Sequence, residues 1–366
     1  MSIRDVVDSI SLIDNHAHPV EPLAESVISD SFATYFTEGE LSTEHARNTL
    51  NYRAALAVLS EQFDGETEAE LLNHRAGVDP ESYSRELIAQ TNTEMILVDD
   101  GYPDITPDEF RAYTDASIHP ILRLETLIEN LLPRHESFDD FVAAFRMAVE
   151  DALSGDYVAL KSVIAYRTGL DITHPDRKSA ERAFERLRTN WNGRIADPTV
   201  LDYLIHDATN LAGEYDAPIQ FHTGFGDSDA HPRFVNPTYA YDFLQSHADV
   251  PIVLLHAGYP YVRNAGYVTS TLDNVYLDLS LAIPFIQHGC QPLLEHVLEL
   301  TPTTKLLYAS DASSVPERYV LAAHRIRIDL AAVLERLVTD GFLTESYAIT
   351  TAENILRENA LRLYDL

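Results

Sequence analysis

Two imidazoles one residue apart stand near the start of the chain: His16 and His18, in "SLIDNHAHPV". Neutral histidine is the commonest side-chain ligand for a borderline divalent cation. Residues two apart on a strand face the same way, so this pair can chelate one ion together. Three more residues share the setting of a short apolar run that ends on a polar side chain. They are His222 in "PIQFHTG", His256 in "PIVLLHAG" and Asp311 in "KLLYASDAS". A lone strand-end histidine is more often a hydrogen-bonded core residue than a ligand. Four histidines and an aspartate, all at the same end of their runs, point instead to a metal site. Imidazoles with one carboxylate suit zinc, with manganese, iron or nickel as alternatives. Open positions on such an ion hold water and lower its pKa towards neutrality.

Lys161 lies inside another run, "VALKSVIAY", in a chain whose only other lysines are Lys178 and Lys305. A buried ammonium is costly unless it is paired, and burial depresses its pKa. One reading pairs Lys161 with a strand carboxylate. The other has neutral Lys161 react with carbon dioxide, giving a carbamate able to bridge two metals. Arg123 and Glu125, two apart in "ILRLE", form either a structural ion pair or a clamp for a substrate carboxylate. Tyr166 and Arg167, just after the lysine run, are candidate substrate contacts. Asp227, Asp229 and His231 in "FHTGFGDSDAHPR" are loop candidates that ordinary turn chemistry explains equally well. The same holds for Tyr259, Tyr261 and Arg263. Asp278, set among apolar residues in "NVYLDLS", is expected to pair, with a ligand histidine as its candidate partner.

The elements that must position these residues alternate in type. Candidate strands cover 11–16, 95–100, 118–125, 157–165, 218–223, 251–257, 274–280 and 305–311. Amphipathic helical patterns, as at 138–153 and 197–214, lie between most of them. Such alternation means parallel βαβ units. Eight units close naturally into a distorted TIM (β/α)8 barrel, whose strand carboxyl ends share one face and carry the chemistry. An open doubly wound sheet is the alternative. Residues 21–94 are too long for one helix connection and read as a helical insertion over that face, a lid. Residues 1–366 are otherwise taken as a single domain.

Composition bounds the rest. The 366 residues carry 26 basic and 58 acidic side chains, a formal net charge of −32. That charge disfavours nucleic acid and anionic membrane surfaces as partners. The acidic residues are spread along the chain, as on a surface screened by a high-salt, halophilic cytoplasm. A single cysteine, Cys290, excludes an internal disulfide and a thiolate zinc site. The first residues lack the apolar core of a signal peptide, and no apolar run reaches membrane-spanning length. A cytoplasmic protein acting on a small molecule is expected; its oligomeric state is not legible, although barrels of this kind often pair into homo-oligomers.

These motifs resemble the amidohydrolase superfamily, and within it amidohydrolase family 2. The superfamily pattern is H-x-H after strand one, lysine on strand four, histidines after strands five and six, and aspartate after strand eight. His16 and His18, Lys161, His222, His256 and Asp311 match it in turn. "LIDNHAH", "LRLET", "ALKSVIAYRTGL", "FHTGFGDSD", "LLHAGYPYVRNAGY", "VYLDLSLAIPF" and "LLYASDAS" are similar to the domains that precede glutamine-synthetase-like modules in certain fungal developmental regulators, and to their stand-alone prokaryotic relatives.

The resemblance implies a metal-dependent hydrolase of an amide or related C–N or C–O bond. His16, His18 and Asp311 then hold a first metal. His222 completes that site or, with His256, holds a second metal bridged by carboxylated Lys161. Asp311 moves the proton, and His256 polarises the carbonyl or holds the water in a one-metal site. Family relatives also include non-hydrolytic decarboxylases, and the superfamily includes uronate isomerases. A metal-dependent decarboxylase or isomerase of a small carboxylic acid is therefore the alternative. A scaffold with a structural metal fits less well, because structural sites are closed and fully ligated.

Overall fold

The computed structural model describes residues 2–366 and contains eight parallel strands. They are β1 (Leu12–Ala17), β2 (Thr93–Asp99), β3 (Ser117–Arg123), β4 (Ala159–Ser162), β5 (Ile219–Phe221), β6 (Ile252–Leu254), β7 (Val275–Asp278) and β8 (Leu306–Leu307). They hydrogen-bond in chain order, each to the next. A doubly wound sheet would reverse its order at a switch point, so the open alternative is excluded and the fold is a (β/α)8 barrel. Between β8 and β1 the ladder gives way to a seam of irregular backbone bonds. Asn15 N donates to Tyr308 O (3.1 Å), Asp311 N to His16 O (2.9 Å) and His18 N to Ala312 O (2.8 Å). The Asp14 carboxylate adds a bond from Ser310 N at 2.8 Å.

The period of two along each strand sorts side chains between the barrel interior and the helix layer. Leu160, Ile219, Ile252, Leu277 and Leu306 turn outward into the large core shared with the helices. Ile13, Leu97, Ile121, Ala159, Val253 and Leu307 turn inward and form a separate core, plugged at the amino-terminal end by Ala360 and Tyr364. Positions in step with the inward set, one pleat further on, are Asp99, Arg123, Lys161 and His222. The same alternation that fills the barrel floor with hydrocarbon therefore delivers its polar side chains to the carboxyl-end face.

Helices Phe138–Leu153 and Pro198–Glu214 occupy the expected positions, capped by Ser137 and Asp197 side chains that accept backbone N–H groups. Between β1 and β2 the chain runs through helices Glu25–Ser31, Leu50–Gln62, Glu68–Ala76 and Pro80–Gln90. Phe32, Phe36, Tyr52 and Leu59 bury their side chains there with Val315 and Leu321, which follow β8. A buried ion pair of Arg75 with Glu317, joined by the Tyr83 hydroxyl, bolts this segment to helix Glu317–Thr339. No helix of the described residues is long and apolar enough to cross a membrane.

Several strands end sooner than their apolar runs suggest. β8 spans only Leu306–Leu307, and helix Leu124–Leu131 begins directly after Arg123. That helix start turns Glu125 away from the barrel mouth. Its buried carboxylate accepts bonds from Ser162 Oγ (2.7 Å) and Val163 N (2.9 Å). The expectation that Glu125 contacts substrate is thereby corrected: it braces the end of β4.

Candidate metal centre

His16 is the penultimate residue of β1, and His18 follows the strand into the seam. Asp311 lies beyond β8 with φ of 52°, a left-handed conformation that aims its side chain back across the seam. Asp311 Oδ1 sits 3.2 Å from His16 Nε2 and 3.3 Å from His18 Nε2. One ligand atom from each of the three residues lies within 4.8 Å of the others. His222 follows β5 and His256 follows β6, where His256, Ala257 and Gly258 all have positive φ (68°, 54° and 59°). That turn brings His256 Nε2 to 2.9 Å from His222 Nδ1. The rings of His16 and His256 are 6.0 Å apart, so the triad and the pair adjoin.

Hydrogen bonds assign the tautomers. His18 Nδ1 lies 2.9 Å from Tyr102 O, a pure acceptor, so Nδ1 carries the proton. In neutral His18 the Nε2 lone pair then faces the Asp311 carboxylate. Two lone pairs at that distance repel unless a cation lies between them. Ser280 Oγ donates to Asp278 Oδ1 (2.6 Å), so it accepts from His256 Nδ1 (2.8 Å), and His256 Nε2 also presents a lone pair. His222 Nε2 and His16 Nδ1 are buried without partners. This donor set, in which imidazole lone pairs and the Asp311 carboxylate converge, fits a divalent cation held by His16, His18 and Asp311.

The electrostatics agree. Burial, with Lys161 alongside, pushes His16 down to about 4. Burial holds His222 and His256 well below the usual imidazole range. Neutral imidazole is the ligating form. At Asp311 burial acts to raise the carboxyl, but the imidazoles of His256, His16 and His18 outweigh it and keep it well below the usual range. Burial pushes Asp278 up to about 6 against its hydrogen bonds.

Lys161 is 2% exposed, with Nζ 3.0 Å from His16 Nε2 and 3.7 Å from Asp99 Oδ2. This is the arrangement of a buried lysine facing a strand carboxylate. Burial nevertheless lowers its pKa, with Asp99 opposing. Asp99 also grips Arg123 with both oxygens (2.9 and 2.7 Å), so the guanidinium is ion-paired while it lines the cavity. Sequence reasoning passed over Asp99, although it closes the β2 run as His222 closes that of β5.

A cavity of about 570 Å³ opens over these groups. Tyr166, Arg167, Asp227 and Asp229 line it, as does the Thr34–Leu41 stretch of the inserted segment. Arg167 Nη2 lies 3.3 Å from Glu129. Gly226 lets the Tyr166 hydroxyl in: a Cβ there would sit 2.0 Å from it. His231 instead caps a short turn at Arg233. Tyr259, Tyr261 and Arg263 face a different depression on the flank, where Arg263 pairs with Glu299. Asp278 reaches His256 through Ser280 and through the His256 backbone N–H (2.8 Å). Arg318 and Glu38, both at the cavity, had no marker in the sequence beyond Arg318's closeness to Asp311.

A family model described as Amidohydrolase matches residues 143–366. Protein fluG of Emericella nidulans is 29% identical over 406 aligned residues, which take in 100% of this chain and 47% of fluG. The chain thus spans about half the length of that curated relative. A Lactobacillus casei crystal structure assigned as a metal-dependent hydrolase superposes with a TM-score of 0.91 at 28% identity, covering 100% of this chain and 97% of the other. The uronate isomerase of Thermotoga maritima gives 0.72 at 13% identity over 99% and 96%, a likeness of fold alone.

Proposed function

We propose that this chain, which belongs to the amidohydrolase family, is a metal-dependent hydrolase that cleaves an amide or related C–N or C–O bond of a small molecule. The observation that carries this reading is the convergence of His16, His18 and Asp311 beneath the cavity. Zinc is the ion that two imidazoles and a carboxylate oxygen suit best. Such an ion supplies Lewis acidity and a water of lowered pKa.

The chain's own residues do the rest. The Asp311 carboxylate takes the proton of the attacking water and passes it to the leaving group, the usual general acid–base duty. His256, fixed by Ser280 and Asp278, orients the scissile carbonyl or the water. Arg123, Tyr166 and Arg167 form the cavity wall against which the substrate packs. In the two-metal alternative His222 and His256 would be the donors for a second ion, and a carboxylated Lys161 would supply it an anionic oxygen. Metal content and the intact mass of the chain decide that point: one ion and an unmodified lysine end the binuclear version.

The reaction is tested by screening amides, lactones and carboxylic acids in high salt with metal supplied. Release of amine or alcohol with the free acid is expected. Asp311→Asn should lower turnover by about 10²–10⁴-fold. Carbon dioxide release or isomerisation without hydrolysis refutes the reading and assigns the non-hydrolytic alternative.

A further inference from the structure

Five basic and five acidic side chains line the cavity, in a chain that carries 26 and 58. The cavity is therefore far richer in cations than the rest of the molecule. Three of its arginines have a carboxylate close by: Arg123 with Asp99 at 2.7 Å, Arg194 with Asp229 at 2.8 Å and Arg167 with Glu129 at 3.3 Å. Arg318 differs. Its side chain is the most enclosed of the four, at 7% exposure, and its nearest carboxylate is Glu38 at 3.8 Å. Its Nε is buried without a partner. A buried guanidinium so weakly neutralised is costly.

The guanidinium is nonetheless held in one place. Nη1 donates to Ser313 Oγ (2.7 Å), Nη2 donates to Asp311 O (3.1 Å), and Cζ lies 4.9 Å from the Phe285 ring centre. Neither neutral oxygen cancels its charge. The bond to Asp311 O also ties it to the backbone of the residue that faces the reacting bond. Glu38 comes from the segment between β1 and β2 and also lines the cavity. It is near enough to attract Arg318 and too far to form a fork with it.

The geometry points to Arg318 as the specificity residue of this cavity: it takes a carboxylate group of the substrate, and Glu38 is the competing anion. The inference rests on the hydrolase reading for where the scissile bond lies, but not for the binding itself. It assigns the substrate to small carboxylate-bearing molecules, with the acid group anchored beside Asp311. It also gives the inserted segment a part in selection, because Glu38 disfavours any anion that Arg318 does not grip.

The test is calorimetric titration of glutarate and of neutral glutaramide into the purified protein, with metal content and melting temperature checked for each variant. Wild type should prefer glutarate. Arg318→Met should weaken glutarate at least about tenfold and leave glutaramide unchanged, as expected for loss of a charge-assisted bond. Arg318→Lys should fall between them, because the ammonium keeps the charge and loses the fork. At pH 8.5, where Glu38 is ionised although burial pushes it up to about 7, Glu38→Gln should tighten glutarate severalfold, a gain that a merely structural role does not produce and that remains readable if Arg318→Met fails to fold. Equal binding of the two probes by wild type, or an unchanged glutarate affinity in Arg318→Met or in Glu38→Gln, overturns the inference. Glutarate binding as expected with no hydrolysis across the amide and lactone panel overturns the hydrolase reading alone.

Discussion

Removing one hydroxyl, Ser280→Ala, should disable His256 without touching it. Asp278 collects four donors: Ser280 Oγ at 2.6 Å, His256 N at 2.8 Å, Ser280 N at 3.1 Å and Asn15 Nδ2 at 3.0 Å. A carboxylate only accepts, so the serine proton is committed to it, and Ser280 Oγ is left to accept from His256 Nδ1. That chain of commitments fixes the imidazole with its Nε2 lone pair towards the site. In the alanine variant, Nδ1–H is stranded where Ser280 and Asp278 are 0% exposed and His256 is 1% exposed. An unsatisfied buried donor costs about 1–3 kcal/mol. The ring can recover part of this by changing tautomer, which places a proton where the lone pair was needed. Loss of a partner that orients a ligand histidine lowers metal affinity or activity by about 10–100-fold. Competition against a chromophoric chelator reads the affinity, and kcat on the best substrate reads the chemistry. Ser280→Thr keeps the hydroxyl and should retain most of both. If Ser280→Ala matches wild type within about twofold in both measurements, the relay reasoning is wrong.

Two further predictions concern stability. Gly224 has φ of 75°, and a Cβ there would stand 2.3 Å from Tyr259 O, so Gly224→Ala forces apart the loops after β5 and β6. A loss on the order of 3 kcal/mol in urea unfolding is expected, against about 1 kcal/mol for Gly193→Ala, which shares a positive φ but meets nothing within 4 Å; equal losses would show that the clash contributes nothing. His206 lies 3.3 Å from His247 and 4.4 Å, ring to ring, from His174, and burial with these neighbours holds it down to about 4. Its folded pKa is below its unfolded value of 6.5, so its contribution is fully present above that pH and is lost as pH falls towards 4. Wild type should lose about 2–3 kcal/mol more than His206→Gln between pH 7.5 and 4.5, and parallel losses would refute the assignment.

What the sequence made legible follows the pleat. Wherever an inward-facing strand residue is followed two residues later by a polar group, as Ala159 by Lys161 and Gln220 by His222, the site residue could be found from spacing alone. Asp99 obeys the same rule and was missed because its run, "MILVDD", ends on two aspartates that spacing does not rank. Glu125 was misread because the alternation was carried past Arg123 into a helix, where residues two apart no longer share a face. Glu38 and Arg318 meet across 280 positions of chain through the packing of the inserted segment, and no local pattern encodes that approach. His256 and Asp311 reach the site through left-handed backbone at non-glycine residues, a conformation that side-chain type does not announce.

The seam between β8 and β1 has a consequence for how the molecule is assembled. His16 and His18 stand on the first strand of the barrel and Asp311 beyond the last, and the backbone bonds that join them are few and irregular. An ion gripped by all three would act as a clasp on the ring. While the chain is being made, the two histidines wait with their third donor unbuilt. Closing a loop of this length carries an entropic cost that grows only slowly with its size, so the clasp adds strength where the ladder is thinnest. Full affinity for metal then reports that the ring has shut, and a chain stalled before β8 would be told from a finished one by its failure to retain the ion.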